Sequence, residues 1–182
     1  ARIREIDEQL SMLTMQFGNN LLSETNSYQM VIEDEADLAG LPESVRSAAA
    51  ETAEKAGKPG TWMFTLQKPS WIPFLQYADN RQLREELYTA MFMRSDNGNQ
   101  YDNKEIIKQI VSLRIERARL LGYDTHAEFM LVDRMAGEPG NVYDLLMQIW
   151  EPAIRKAGEE AQMMQEIIDR EGGGFKLQSW DW

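Results

Sequence analysis

The sequence predicts a mainly α fold, a bundle-like array of helices with one small two-stranded β element. Apolar residues recur every three or four positions over most of the chain, and two short β-branched and aromatic runs precede residue 70. No internal repeat or long linker interrupts the pattern. The 182 residues, 43% hydrophobic and 27% charged, suit one soluble domain. We therefore expect residues 1–182 to form a single, mostly helical unit.

The first helix is predicted by an apolar stripe. Its members lie three or four residues apart: Ile3, Ile6, Leu10, Leu13, Phe17 and Leu21. The charged residues between them fall mostly off the stripe and are expected to face water.

Two segments have the composition of β-strands, residues 28–32 and 61–66. In the second, Trp62, Phe64 and Leu66 alternate with other residues, so one face of the strand would be strongly apolar. If the two segments pair, they form a small ribbon on a helical body.

The remaining segments read as helices and turns. We expect Asp79 to be the N-cap of one helix and Asp102 or Asn103 that of another, with Thr125 capping a third. Pro152 should bend the longest helix, because its ring removes a hydrogen bond and crowds the preceding turn. The helices are predicted at residues 42–56, 69–78, 80–94, 104–121, 126–135 and 141–170.

The composition excludes several classes of function. With 19 basic and 30 acidic residues the net charge is −11, which repels phosphate backbones and anionic lipids, so we expect no nucleic-acid or membrane partner. The chain has no cysteine and one histidine, His126. Disulfides, thiolate metal sites, cysteine nucleophiles and any site that needs two imidazoles are therefore excluded within the chain.

Candidate site residues have plain structural interpretations. His126 lies in the first turn of a predicted helix, where a structural or solvated histidine is the expected reading. The carboxylates of residues 33–35 and 159–160 are expected to face water, because a carboxylate-bridged metal pair would need a Glu-x-x-His sequence and none is present.

Five charged residues share helix faces with apolar side chains: Arg81, Arg84, Arg114, Glu116 and Arg117. We expect them to form partly buried ion pairs that lock helices together, with a substrate-contacting arginine as the alternative. The sequence assigns no catalytic residue and no metal ligand within the chain, and it leaves the substrate-binding residues open.

Short motifs follow one another in a fixed order between Phe17 and Trp182. They are Leu38-Ala39-Gly40-Leu41-Pro42, Trp62-Met63-Phe64-Thr65-Leu66, Pro69-Ser70-Trp71-Ile72-Pro73-Phe74-Leu75, Asn80-Arg81-Gln82-Leu83-Arg84-Glu85, Asp102-Asn103, Leu113-Arg114, Ala118-Arg119-Leu120-Leu121-Gly122-Tyr123, Met135-Ala136 and Trp180-Asp181. Each motif is weak alone, but in this order and spacing the set closely resembles the thimet oligopeptidase family of zinc metallopeptidases. The ending Trp180-Asp181-Trp182 is most similar to the bacterial peptidyl-dipeptidase branch.

This resemblance implies a largely helical parent protein with a deep channel between two lobes, which admits oligopeptides. In the family a His-Glu-x-x-His helix and a further Glu hold one zinc ion, and the motif Glu acts as general base. That motif lies downstream of the Trp-Asp landmark. The chain is therefore expected to be a piece of the non-catalytic lobe that supplies scaffold and channel wall, holds no zinc and is inactive alone.

The implied partners are oligopeptide substrates and the absent catalytic lobe of the parent. Five Trp, six Phe and eleven Met also predict exposed apolar faces through which the chain self-associates. The resemblance implies a cytoplasmic parent, with an exported one as the alternative. A free-standing helical interaction module and a regulatory pseudo-peptidase are the other functions considered. A His-Glu-x-x-His encoded after Trp182 would separate the first interpretation from these two.

Overall fold

A computed structural model describes all 182 residues and confirms the predicted fold class. The seven helices are α1 (Arg2–Ser27), α2 (Glu43–Lys55), α3 (Lys68–Tyr77), α4 (Arg81–Phe92), α5 (Lys104–Leu120), α6 (His126–Leu131) and α7 (Pro139–Arg170). The two strands are β1 (Met30–Ile32) and β2 (Trp62–Phe64). Short 3-10 turns at Glu35–Leu38 and Ser179–Asp181 were not predicted. No helix combines the length and the apolar character that crossing a lipid bilayer requires.

The chain divides into two compact units. The first comprises Ala1–Thr14 and Ile107–Leu177, and the second comprises Met15–Ile106 and Gln178–Trp182. Helices α1 and α5 each contribute residues to both units.

The two predicted strand segments pair, although each strand is only three residues long. They are antiparallel, with Met30 opposite Phe64 and Ile32 opposite Trp62. Opposite residues point to the same side of a sheet, and this side faces the core of the second unit. Met63, on the other side, is also buried, so β2 is covered on both faces.

The core of the second unit is built largely from side chains that the motifs supply, together with Leu87 of α4. Leu38, Phe64, Phe74 and Leu87 are each at most 1% exposed. The rings of Phe64 and Phe74 meet edge to face, with centroids 4.5 Å apart. Helices α3 and α4 are thereby fixed to the ribbon.

Gly40 allows the loop before α2 to approach the end of α3. Its φ angle is +82°, and a Cβ at this position would lie 2.1 Å from the carbonyl oxygen of Tyr77. The Asp79 N–H donates to the Ala39 carbonyl at 2.9 Å. Only glycine fits this backbone conformation and this contact together.

The predicted N-cap of α4 is wrong by one residue. Asn80 caps the helix, because its Oδ1 accepts hydrogen bonds from Gln82 N (3.0 Å) and Leu83 N (3.2 Å). Asp79 is instead held in the preceding loop by its backbone bond to Ala39. Both residue types are good caps, so local sequence does not distinguish them.

In the first unit α1 packs on α5, with Ile6 and Ala118 fully buried. Helix α6 starts as predicted with a capping box, in which Thr125 and Glu128 each bond the other's backbone N–H. It ends at Leu131 rather than near residue 135, because Arg134 N bonds the Leu131 carbonyl in a tighter turn.

Helix α7 is the longest, at 32 residues. It begins at Pro139, two residues before the predicted start, since proline suits the first turn of a helix. Pro152 lies inside it, as the sequence predicted. Near its end, Gln165 donates to the Phe175 carbonyl at 3.0 Å and accepts from Leu177 N at 2.7 Å.

Candidate functional site

A buried carboxylate joins the end of the chain to α4. The side chain of Asp181 is only 3% exposed. It accepts hydrogen bonds from Arg81 Nε and Nη2, each at 3.0 Å, and from Arg84 Nη2 at 3.0 Å. We call these three residues and Trp180 the Asp181 cluster.

Arg84 is the most connected member of the Asp181 cluster. Its Nε donates to the Trp180 carbonyl at 3.0 Å and its Nη1 to the Ala78 carbonyl at 2.7 Å. The Arg81 guanidinium lies 5.5 Å from the centre of the Trp180 ring, and the Tyr88 ring meets Trp180 edge to face at 5.9 Å. The cluster thus combines charge, hydrogen bonds and aromatic packing on one side of α4.

The charge balance of the Asp181 cluster keeps its carboxylate ionised. Burial alone would raise the pKa of Asp181, but hydrogen bonds from Arg81, the Gln178 backbone and Arg84 outweigh it and hold the pKa below its ordinary value. Because the carboxylate is already engaged by two arginines, it is not available as a catalytic base.

The predicted ion pairs also form between α1 and α5. Glu116 accepts from Arg2 at 2.6 Å, and Asp7 accepts from Arg117 at 2.7 Å. The prediction for Arg81, Arg84, Glu116 and Arg117 is confirmed in this sense. Arg114 is exposed. The α1–α5 pairs are only partly buried, so breaking one of them should cost less than breaking a pair of the Asp181 cluster.

A second buried carboxylate was not found by sequence reasoning. Glu24, 8% exposed, accepts hydrogen bonds from the backbone N–H of Ser95 and from the amides of Asn97 (2.9 Å) and Asn99 (2.6 Å). Burial would raise its pKa, but these three donors lower it below the ordinary value. The predicted turn cluster at residues 95–101 is thereby fastened to α1.

His126 lies at the first position of α6, as predicted. Its Nδ1 is buried without a hydrogen-bond partner, and its ring centre is 6.3 Å from that of Phe129. Burial lowers its pKa, and the positive charges of Arg114 and Arg117 lower it further. A histidine in this setting is held neutral beside two cations, which is an unfavourable place for a metal ion.

No three histidine, cysteine or carboxylate side chains converge in a way that could hold a metal ion. The carboxylates at residues 33–35 and 159–160 are exposed. Lys156 pairs with Glu159 and Glu160 at 3.5 and 4.0 Å.

An open groove of about 580 Å3 runs between α2 and β2. Its walls include Val45, Ala48 and Ala49 from α2 and Met63 and Phe64 from β2. None of its lining residues is charged or is a histidine. The groove can accept an apolar group, but it offers no acid–base chemistry.

The first half of α7 carries a large exposed apolar surface. Seven large side chains between residues 143 and 154 are more than half exposed: Tyr143, Leu145, Leu146, Met147, Ile149, Trp150 and Ile154. We call this surface the α7 apolar face. Nothing in the first unit covers it.

Comparison with known proteins decides the family. The family model for peptidase family M3 matches residues 74–182, which is more than half of the chain. The chain belongs to peptidase family M3.

Relatives of this M3 chain align along nearly its whole length. It is 40% identical to "Oligopeptidase A" of Haemophilus influenzae over 99% of the chain, and 32% identical to "Dipeptidyl carboxypeptidase" of Escherichia coli over 100%. It is 36% identical to "Probable cytosolic oligopeptidase A" of Arabidopsis thaliana over 83%. The chain spans only 27% of each of the two bacterial relatives.

The relatives include a dipeptidyl carboxypeptidase, the type that the ending Trp180-Asp181-Trp182 suggested, but the identity is higher to the oligopeptidase A proteins. The motifs that suggested the family have structural roles in this M3 chain. Leu38 and Gly40 shape the loop before α2, Phe64 and Phe74 form the core, and Asp181 anchors the last turn to α4.

Proposed function

We propose that this M3 chain is part of a longer zinc-dependent peptidase that hydrolyses short peptides, of the oligopeptidase or peptidyl-dipeptidase type. In that parent it supplies scaffold and channel wall as a piece of the non-catalytic lobe. The observation that carries the proposal is the alignment of 99% of the chain with 27% of a protein named oligopeptidase A. A parent peptidase therefore has room for its chemistry in the remaining three-quarters.

The chain is inactive alone in this proposal. A His-Glu-x-x-His zinc site needs two imidazoles, and the chain has one histidine. The position of His126 beside Arg114 and Arg117 supports the same view, because two cations oppose the binding of a third. The parent would hold one zinc ion in its other part, where zinc activates water for attack on a peptide carbonyl.

The partners of the proposed parent are oligopeptides, together with the catalytic lobe that packs on this chain. We propose a cytoplasmic location for it. The Arabidopsis relative is named a probable cytosolic oligopeptidase A, which supports that location.

The test begins with the coding sequence after Trp182, where a His-Glu-x-x-His in the same reading frame is expected. The parent and the 182-residue chain are then purified, and both are assayed for oligopeptide cleavage and bound zinc. The parent should cleave peptides and lose activity with a chelator, whereas the shorter chain should do neither. Stoichiometric zinc or hydrolysis in the 182-residue chain would contradict the proposal.

A free-standing interaction module is the second candidate function. The α7 apolar face favours it, because an exposed amphipathic helix can recruit an apolar partner. A stop codon directly after Trp182 would favour this candidate. A longer gene that lacks the zinc motif would instead favour a regulatory pseudo-peptidase.

A further inference from the structure

The α7 apolar face is too large and too apolar to be an ordinary protein surface. The largest apolar patch on a typical monomer is about 300–600 Å2. Seven half-exposed large side chains, at on the order of 100 Å2 each, exceed that range. Trp150 alone is 58% exposed. A patch of this size marks a contact site for another protein surface.

The angular width of the face indicates how it is covered. At about 100° per residue, its side chains spread from Leu145 to Met147 over roughly 200° of the helix circumference. A helix that packs with one side on a core needs a stripe only about half as wide. The first half of α7 is therefore built to be enclosed on two sides.

Pro152 shapes the same face. Its ring opens the helix on its own side, so the opposite side becomes concave. By the same angular count, Tyr143, Trp150 and Ile154 lie opposite Pro152. The aromatic centre of the α7 apolar face thus lies where a bend would curve the helix around a partner.

We propose that the α7 apolar face is enclosed by apolar surface from the part of the parent chain that lies outside these 182 residues. This inference rests on the proposed function for the existence of a longer parent. The chain spans 27% of its bacterial relatives, so about three-quarters of a parent of that size is available to supply the covering surface. Leu146, in the middle of the arc, becomes buried when the parent is complete.

Cysteine labelling tests this assignment, because the chain has no cysteine of its own. Leu146→Cys places a thiol in the middle of the α7 apolar face, and Glu151→Cys places a matched thiol on the polar side of the same helix. Each variant is made in the 182-residue chain and in the full-length parent. Reaction with a maleimide is followed at that site by mass spectrometry, which separates it from any other cysteine of the parent.

In a dilute solution of the 182-residue chain, where self-association is reversed, both thiols should react at similar rates. In the parent, Leu146→Cys should react at least roughly tenfold more slowly than in the 182-residue chain, because access of the reagent would require local opening. Glu151→Cys should keep its rate, which shows that the polar side of the helix stays accessible and that the reagent acts equally in both proteins. Equal rates for Leu146→Cys in both proteins would overturn the proposal.

Two further outcomes are informative. Slow labelling of Leu146→Cys in the parent that dilution relieves would assign the face to a second copy and overturn the proposal. A gene that stops at Trp182 would remove the proposed occupant and do the same. Peptidase activity of the parent is measured separately. A parent that cleaves peptides while Leu146→Cys stays reactive refutes this inference and leaves the proposed function standing.

Discussion

Replacing Asp181 by asparagine should loosen the last turn of the chain from α4. The carboxylate is 3% exposed and accepts charged hydrogen bonds from Arg81 and Arg84 at 3.0 Å. Asparagine keeps the size of the side chain and one acceptor oxygen. Its NH2 group, however, would face a guanidinium, so at least one bond becomes a contact between two donors.

The expected cost is about 2–3 kcal/mol of unfolding free energy. Breaking one partner of a buried ion pair costs about 3–5 kcal/mol. Two features lower this value here. The Arg81 side chain is 29% exposed and can be hydrated, and Arg84 keeps its bond to the Ala78 carbonyl at 2.7 Å. In the variant the short turn at residues 179–181 can also detach from α4. The loss of unfolding free energy therefore cannot exceed the free energy with which that turn docks on α4.

Urea unfolding of the wild type and the variant measures this cost, with an unchanged m-value expected. Asp144→Asn is the control, because Asp144 is exposed on α7 and its replacement should change stability by less than about 0.5 kcal/mol. High salt should leave the difference largely intact, since buried pairs are weakly screened. If Asp181→Asn is as stable as the control variant, Asp181 does not anchor the chain end.

Three further predictions concern other parts of the chain. Gly40→Ala should lower the unfolding free energy by about 2 kcal/mol or more in urea titrations, since φ is +82° and its Cβ would meet the Tyr77 carbonyl; wild-type stability would contradict the close approach. Glu24→Gln should cost about 1.5–3 kcal/mol at neutral pH. Because folding lowers the pKa of Glu24, this difference should shrink as pH falls below about 4 and the carboxylate becomes protonated; a difference independent of pH from 7 to 3 would refute the role of its charge. Trp150→Ala should change the stability of the 182-residue chain by less than about 0.5 kcal/mol, as its side chain is 58% exposed; a core-sized loss in thermal or urea unfolding would show that the face is already covered.

Much of the secondary structure could be predicted because its causes are local. The three- and four-residue spacing of Ile3 to Leu21 fixes a helix wherever that segment lies. Thr125 and Glu128 form the α6 capping box within four residues of chain. The same locality explains the error at α4, where Asp79 and Asn80 are both suitable caps and a distant contact with Ala39 decides between them.

The buried carboxylates show where sequence reasoning stops. Glu24 lies 71 residues from Ser95, and no spacing rule links an acidic residue on one helix with a distant turn. Arg81 and Arg84 were expected to form ion pairs, but their partner Asp181 lies 100 and 97 residues away. The motif order indicated the family without showing that these motifs meet in space.

The amino acids alone determined the mainly α fold, the absence of thiol chemistry and the shortage of imidazoles, since periodicity and composition need no partner. Only the tertiary structure decided which charges are buried and which apolar side chains stay uncovered. Burial depends on which segments come together, and that is a property of the folded chain. The buried Asp181 and the exposed Trp150 are both outcomes of it.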